Sequence, residues 1–460
     1  AYNPDVNDSI VPRGTGIGIT FDHRIIAGSG NITLSIATNV GAAGTVVENF
    51  GVGSSVTIAG RSASITPSSN LDGDKVYHIN YPSGCFTNTS GDVSYVGTAY
   101  TFVSKPLAYS LWSWGRNYYG SLGLNQAETW QSSPTQIPGT TWGRVFPGAT
   151  DGSSALNVKT DGTLWSWGYN GYGELGQNNT THRSSPVQVG SETNWALGGR
   201  GNIGIALAIN TDGELWMWGR NIYGMAGNNS TASLSSPVQV PGTTWSSDYT
   251  KTATLSHSVA SIKTDGTLWT WGSNAHGQLG INDGAQRSSP VQVPGTTWSS
   301  VSGTYQGIVA TKTDGTLWAW GYNYKGSLGL NSLAKVSSPV QVPGTNWSTV
   351  GGTDSTVGGI KTDGTLWMWG GNGNGMLGDG STTNRSSPTQ IPGTTWKQIG
   401  GGAKATQAVK TDGTLWTWGS GSYGSGVNNR SNYSSPKQVP GTSWAFAGGN
   451  GTDVFVNQEV

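Results

Sequence analysis

Five histidines, one cysteine and a recurring Asp-Gly pair carry the side-chain chemistry of ligands, bases and nucleophiles in this 460-residue chain. A zinc site needs His or Cys ligands at short paired spacing. His23, His78, His182, His257 and His276 stand at unrelated positions, and none forms a His-x-x-x-His pair. Cys85 alone supports neither an internal disulfide nor a cysteine zinc site. It reads as a small buried side chain rather than a reactive thiol. Asp72, Asp74 and Asp92 have the oxygen chemistry of a calcium site, but turn formation through Asx geometry is the preferred reading. The remaining acidic set is Asp161, Asp212, Asp265, Asp314, Asp363 and Asp412, each in Thr-Asp-Gly. Catalysis uses one asymmetric site, whereas a hairpin turn reuses the same residue in every copy, so these read as turn residues. No GxSxG, P-loop or dinucleotide fingerprint lies in a strand–helix context. The expectation is a non-enzymatic protein with no catalytic residues, no cofactor and no metal.

The Asp-Gly turns belong to a longer repeated stretch, KTDGTLWAWG at 312–321. LWxWG begins at Leu111, Leu164, Leu215, Leu268, Leu317, Leu366 and Leu415, in steps of 53, 51, 53, 49, 49 and 49 residues. A period near 50 marks a repeat architecture. Each unit offers four short strand candidates, seen in one copy at 291–293, 298–301, 308–312 and 317–320. PGTT joins the first two and TDG the last two. Four antiparallel strands in each of seven units, with no helical pattern, predict a seven-bladed β-propeller over 106–460.

The 22 tryptophans follow the repeat. Two come from each LWxWG: Trp112 and Trp114, Trp165 and Trp167, Trp216 and Trp218, Trp269 and Trp271, Trp318 and Trp320, Trp367 and Trp369, Trp416 and Trp418. At i and i+2 they share one strand face, where large flat rings fill the wedge between blades. They are expected to be structural. The first LWxWG lacks a preceding half-unit, and the last unit stops after 454–456 without one. The strand near 111–114 is therefore expected to pair with 454–456 and close the last blade, leaving no exposed edge.

Residues 1–105 contain no Trp. Short period-two runs such as Ile17, Ile19, Phe21 and Ile32, Leu34, Ile36, broken by Gly/Ser/Asn clusters, read as half-buried antiparallel strands of a β-sandwich. The opening PDVNDSIVPRGTGIGITFDHRIIAGSGNITL and the closing LDGDKVYHINYPSGCFTNTSGDVSYVGTAYTF, over about 3–103, resemble bacterial Ig-like domains of surface and adhesive proteins. In the rest of the chain, LWxWG followed by NxxGxLG (170–176, 274–280, 323–329) is similar to the regulator of chromosome condensation repeat family. SGSYGSG at 420–426 departs from that pattern. The fold class expected is all-β, an Ig-like sandwich followed by a seven-bladed propeller.

That family resemblance implies a fold more than a function. Its members include exchange factors for a small nuclear GTPase, plant ultraviolet sensors, secreted β-lactamase inhibitors and many bacterial or phage surface proteins. The Gly-Trp-Arg-His-Thr motif of the ultraviolet sensors is absent. Lys+Arg and Asp+Glu are equal at 24 each, which argues against nucleic acid or an anionic membrane as partner. No apolar run of about 18 residues is present, so no helix is expected to insert into a membrane. The N-terminus, AYNPDVND, lacks the basic and apolar regions of a signal peptide.

Strand polarity places PGTT and TDG at one end of each blade. The loop before the third strand (the GG-loop) and the long NxxGxLG…SSP loop, expected to link blades, lie at the other. The second end varies between copies, as loops that bind on a rigid scaffold do. From the turn Trp to the next LWxWG the span is 22, 20 and 23 residues in three copies and 19 in the other three. The extra residues are expected in GG-loops near 146–156, 198–206 and 247–258. A partner-binding sector of Phe146, Asp151, Arg200, Asn202, Tyr249, Lys251 and His257 follows. The expectation is a recognition protein of a virion surface or the extracellular space. Foremost is a phage tail fibre or capsid decoration protein that binds protein or glycan on a cell surface, with the Ig-like domain engaging other virion or surface proteins. A secreted adhesin and a β-lactamase-type inhibitor are the alternatives.

Overall fold

The computed structural model describes every residue except 1, 4–15, 37–44, 69–70, 72–75, 96–99, 104–108, 144–153, 201–203, 353–354, 402–403, 422–425, 451–452 and 460. The chain forms two compact units, Ala1–Leu107 and Ala108–Val460.

The first unit is all β. One sheet runs in the order Tyr100–Val103, Val76–Asn80, Asn31–Ile36, Thr45–Gly51, and a second runs Tyr2–Asn3, Ile17–Thr20, Ser62–Ile65, Thr57–Ala59. Period-two alternation sends Ile17 and Ile19, Ile32 and Leu34, and Tyr77 and Ile79 into a shared core with Phe86. Cys85 is fully buried there, and burial raises its thiol pKa. Asp92 accepts from Asn88 Nδ2 at 2.6 Å and Ser90 Oγ at 2.8 Å, in a loop where Asn88 Oδ1 accepts from the backbone N–H groups of Asp92 and Val93. Asp72 and Asp74 lie outside the described residues.

The second unit contains seven antiparallel sheets, six of four strands and one of three among the described residues. A representative blade runs, from the inside out, Trp298–Gly303, Gly307–Lys312, Leu317–Gly321, Val336–Val342. The outermost strand of every blade carries a proline (Pro134, Pro186, Pro237, Pro290, Pro339, Pro388, Pro436). Proline removes a donor from an otherwise open edge and blocks further pairing.

Connectivity inside the blade differs from the expectation in one respect. The NxxGxLG…SSP loop joins the LWxWG strand to the outer strand of the same blade, as between Leu268–Gly272 and Arg287–Gln292. The link between blades is PGTT, from that outer strand to the innermost strand of the next blade, Trp298–Gly303. A repeat read from sequence has no marked beginning, so a unit opened at SSP straddles two blades.

One sheet combines strands from opposite ends of this unit, in the order Trp130–Gln136, Tyr109–Arg116, Asp453–Glu459, Trp444–Asn450. Its central pairing aligns Leu111 with Asn457, Trp112 with Val456 and Trp114 with Val454. These two strands supply the middle of the sheet, so each half of the blade completes the other's hydrogen bonding.

Six of the seven LWxWG strands stitch two blades together through the second Trp; among the described residues the indole N–H of Trp114 has no partner. The second Trp is buried and its indole N–H donates to a loop carbonyl of the preceding blade: Trp167 to Ser121, Trp218 to Glu174, Trp271 to Met225, Trp320 to Gln278, Trp369 to Ser327 and Trp418 to Met376, at 2.7–3.1 Å. The first Trp is half-buried at the TDG end. There, in five copies, Asp Oδ1 accepts from Thr Oγ1, which accepts from the indole, as in Asp314, Thr316 and Trp318 at 2.7 and 2.8 Å. A lysine then lies over two indoles, Lys312 at 4.8 Å from the Trp298 ring centre and 4.6 Å from that of Trp318.

Candidate recognition surface

At the opposite end of each blade, a buried asparagine organises the loop after LWxWG. Asn117, Asn170, Asn221, Asn274, Asn323 and Asn372 accept through Oδ1 from the N–H five residues on, at 2.7–2.9 Å. Their Nδ2 groups donate to carbonyls of the returning chain, such as Ser332 and Ala334 for Asn323. One acceptor and two donors on a short stem are what the site requires, which is why Asn recurs. Three residues on, glycine packs against the outer strand of the next blade. At Gly326 φ is +81°, and a Cβ would lie 2.6 Å from Ser386 Cα. The loop skeleton is therefore a second seam between blades.

The side chains beside the asparagine are left over from that skeleton, and they form a belt. The residue two places after Asn in one blade leans on the residue one place before Asn in the next. Tyr119 meets Tyr169 with ring centres 4.9 Å apart, Arg220 lies 5.0 Å over the Tyr172 ring, and His276 meets Tyr322 at 4.6 Å. His182 stacks on Tyr169 at 4.8 Å with planes 25° apart. Tyr322 and Tyr324 stack at 6.0 Å with planes 9° apart, and Lys325 lies 4.8 Å over Tyr324. Tyr223 meets His257 edge-on at 4.4 Å. At one end Arg116 lies 3.5 Å over Tyr118, and Trp130 has Arg116 at 5.2 Å and Arg430 at 4.7 Å. Tyr119, Tyr172 and Tyr324 keep 44%, 42% and 44% of their surface exposed.

Among the described residues, four carboxylates of this face are engaged. Glu128 accepts from Tyr119 N and Glu174 from Tyr172 N; Asp283 pairs with Arg287 at 2.6 Å and Asp379 with Arg385 at 2.9 Å. Burial, then the Arg220 charge, lowers the His257 pKa; burial, then Lys335, lowers that of His276. Both imidazoles are therefore held towards neutrality beside fixed cations. The surface combines open aromatic faces with an excess of available positive charge.

Only part of the sector expected from the sequence falls on described residues. Phe146, Asp151 and Asn202 lie outside the described residues; Arg200 ends an innermost strand, paired with Ala206. Tyr249 and Lys251 belong to a single 3-10 turn, Tyr249–Lys251. In that copy Thr254 pairs with Val259, leaving a loop of the same length as between Gly303 and Ile308. In this copy the added residues therefore precede the paired part of the innermost strand instead of lengthening the GG-loop, whereas Arg200 pairs with Ala206 across a loop one residue longer, so the surplus of that copy does lie in its GG-loop. Tyr249 meets Phe446 across the inner strands at 5.4 Å. With Thr252, Val301, Val350 and Ile399 it borders a residual cavity of about 40 Å³, room for little more than a water. Among the described sector residues, His257 reaches the aromatic belt through Tyr223. The belt residues escaped the sequence reading because each loop by itself is a Gly/Asn/Tyr turn; superimposing copies on their Asn exposes the aromatic positions beside it.

Residues 161–196, 265–309, 314–352 and 363–409 match the regulator of chromosome condensation (RCC1) repeat, and residues 1–104 match a bacterial Ig-like domain. The ultraviolet-B receptor UVR8 of Arabidopsis thaliana is 31% identical over 186 residues, 39% of this chain and 41% of that protein. The E3 ubiquitin-protein ligase HERC2 of Mus musculus is 30% identical over 181 residues, 38% of this chain and 4% of that protein. The chain thus spans less than half the length of these curated relatives. Among solved structures, human WBSCR16 aligns with a TM-score of 0.67 at 18% identity, covering 76% of this chain and 99% of that one. Prp20p of Saccharomyces cerevisiae, described with its binding to Gsp1p and histones, aligns at 0.66 and 17% identity, covering 77% and 92%. At these identities the structural likeness speaks for the fold.

Proposed function

We propose that this chain, RCC1 repeats behind a bacterial Ig-like domain, is a non-enzymatic recognition protein of an exterior surface, foremost a phage virion appendage. The observation that carries recognition is the aromatic and cationic belt on the loop end of the blades. Rigid aromatic side chains with arginine, set among Ser, Gly and Asn, are the composition of binding surfaces that act without moving. The scaffold beneath is tied by two seams at six of the seven blade boundaries, so the belt is presented in one geometry and little entropy is lost on binding. The regulatory and protein-binding character of RCC1-type propellers supports binding as the mode of action. A bacterial Ig-like domain beside a propeller of low charge supports an exterior location, with that domain as mount.

The test is to incubate fluorescently labelled protein with a panel of bacterial cells, and to image the native source by immunogold electron microscopy. Saturable labelling of cells and gold on particles are expected. Protein found only free in cytoplasm, with no cell labelling, overturns the proposal.

A further inference from the structure

The belt has a shape as well as a composition. It is a run one or two rings wide that passes from blade to blade: Arg116, Tyr118, Tyr119, Tyr169 with His182, then Tyr172 and Arg220. A second run, His276, Tyr322 and Tyr324, continues on later blades. A globular protein partner needs a broad, well-packed patch of about 800 Å² with a desolvated centre. Here the rings stand in file rather than in a broad patch. A thin linear chain fits a thin linear run.

The chemistry narrows the chain further. Exposed aromatic faces attract the C–H faces of pyranose rings, which are apolar and slightly positive, while hydroxyls at the sugar rim meet water or loop amides. Cations laid over ring faces keep their N–H edges available, and guanidinium matches carboxylate geometry in a bidentate manner. Glu128 and Glu174 keep their negative charge when they accept from backbone N–H groups, Asp283 and Asp379 are neutralised by Arg287 and Arg385, and Arg116, Arg220, Lys325 and Arg430 over the belt rings outnumber the two glutamates. Tyr119 also holds a left-handed backbone, φ 54°, anchored by Glu128 on its N–H. In that conformation a tyrosine is disfavoured by about 1 kcal/mol or more, so packing and the Glu128 contact keep an exposed ring where the fold alone would prefer glycine.

We infer that this belt binds an extended acidic polysaccharide, sugar faces on Tyr119, Tyr172 and Tyr324 and sugar carboxylates on Arg220 and Lys325. The inference rests on the recognition reading above and specifies its ligand class.

Affinity electrophoresis of the full chain through gels containing polygalacturonate, alginate, polysialate or neutral dextran tests it. Retardation by at least one acidic polymer and none by dextran is expected, weakening as salt rises. The double variant Tyr119→Gly/Tyr172→Ala should lose at least tenfold in affinity with an unchanged melting curve, since glycine relieves the left-handed backbone and both rings are exposed. Arg220→Ala should lose affinity for the acidic polymer specifically. No retardation by any of the three acidic polymers, or equal retardation of the double variant, overturns the inference. Cell labelling separates this failure from failure of the wider reading. Labelling that survives polysaccharide lyases but is lost on protease treatment of the cells places a protein on the belt and overturns the polysaccharide while recognition stands. Absence of labelling removes recognition itself.

Discussion

The two ends of each blade use equally recurrent residues, yet they spend them differently. At the TDG end, Asp, Thr, Trp and Lys satisfy one another within a single blade, and their partners lie within a few residues or on the adjacent strand. At the Asn end, the recurrent Asn and Gly satisfy the backbone and the neighbouring blade, while the residues between them face outward. Recurrence therefore marks scaffold at both ends. On the proposed reading, recognition falls to the positions that the scaffold leaves unused, such as Tyr119 and Tyr324 at the Asn end.

Four measurements break or sharpen that contrast. Deleting 450–460 removes the strand that pairs with Tyr109–Arg116 and unseats both ends of one blade at once. The thermal midpoint should fall sharply, by more than any point substitution; an unchanged curve would show that the shared blade contributes nothing. Gly326→Ala places a Cβ against Ser386 in a left-handed backbone and should cost about 3 kcal/mol in denaturant unfolding. If it is neutral, the loop skeleton is not a seam. Asn323→Ala leaves the Leu328 N–H and the Ser332 and Ala334 carbonyls without their partner and should cost about 2 kcal/mol.

The smallest expected effect belongs to the TDG end and is read through pH. The carboxyls of Asp265, Asp314, Asp363 and Asp412 are held below their ordinary value, first by the Thr side-chain hydrogen bond, then by a backbone N–H, with a lysine charge adding to both. A folded pKa below the unfolded one means the contribution is complete above the ordinary Asp range, about 4, and fades as pH falls through the lowered values. The midpoint should decline modestly on acidification below about pH 4. Asp314→Asn, Asp363→Asn and Asp412→Asn combined should flatten that part of the curve relative to wild type. An identical acid slope would show these turns to be electrostatically silent.

Much of the fold is legible because the repeat is written in local patterns. Asp-Gly turns, alternating strands and Trp at i and i+2 act over a few residues, and seven copies average out the ambiguity of each. The candidate surface was less legible. Tyr119 and Tyr169, or His276 and Tyr322, stand roughly one repeat apart, and nothing in either loop announces the other. The surplus around Tyr249 was visible as length, but its placement was not. A strand with extra residues can shed them into its loop or into its own middle, and only the pairing of Thr254 with Val259 decides.

The sequence by itself determined the blade: its strands, its turns, its period and the residues recurrent enough to be scaffold. These follow from short-range sterics and hydrogen bonding, which a linear pattern records. Tertiary structure alone decided which leftover side chains meet, that Tyr249 faces Phe446 across the inner strands, and that aromatic rings from successive blades line up beside fixed cations. The reason is that each blade's side chains find their neighbours on the next blade, and the distance between blades is set by the wedge of buried Trp rings, a quantity that no single repeat contains.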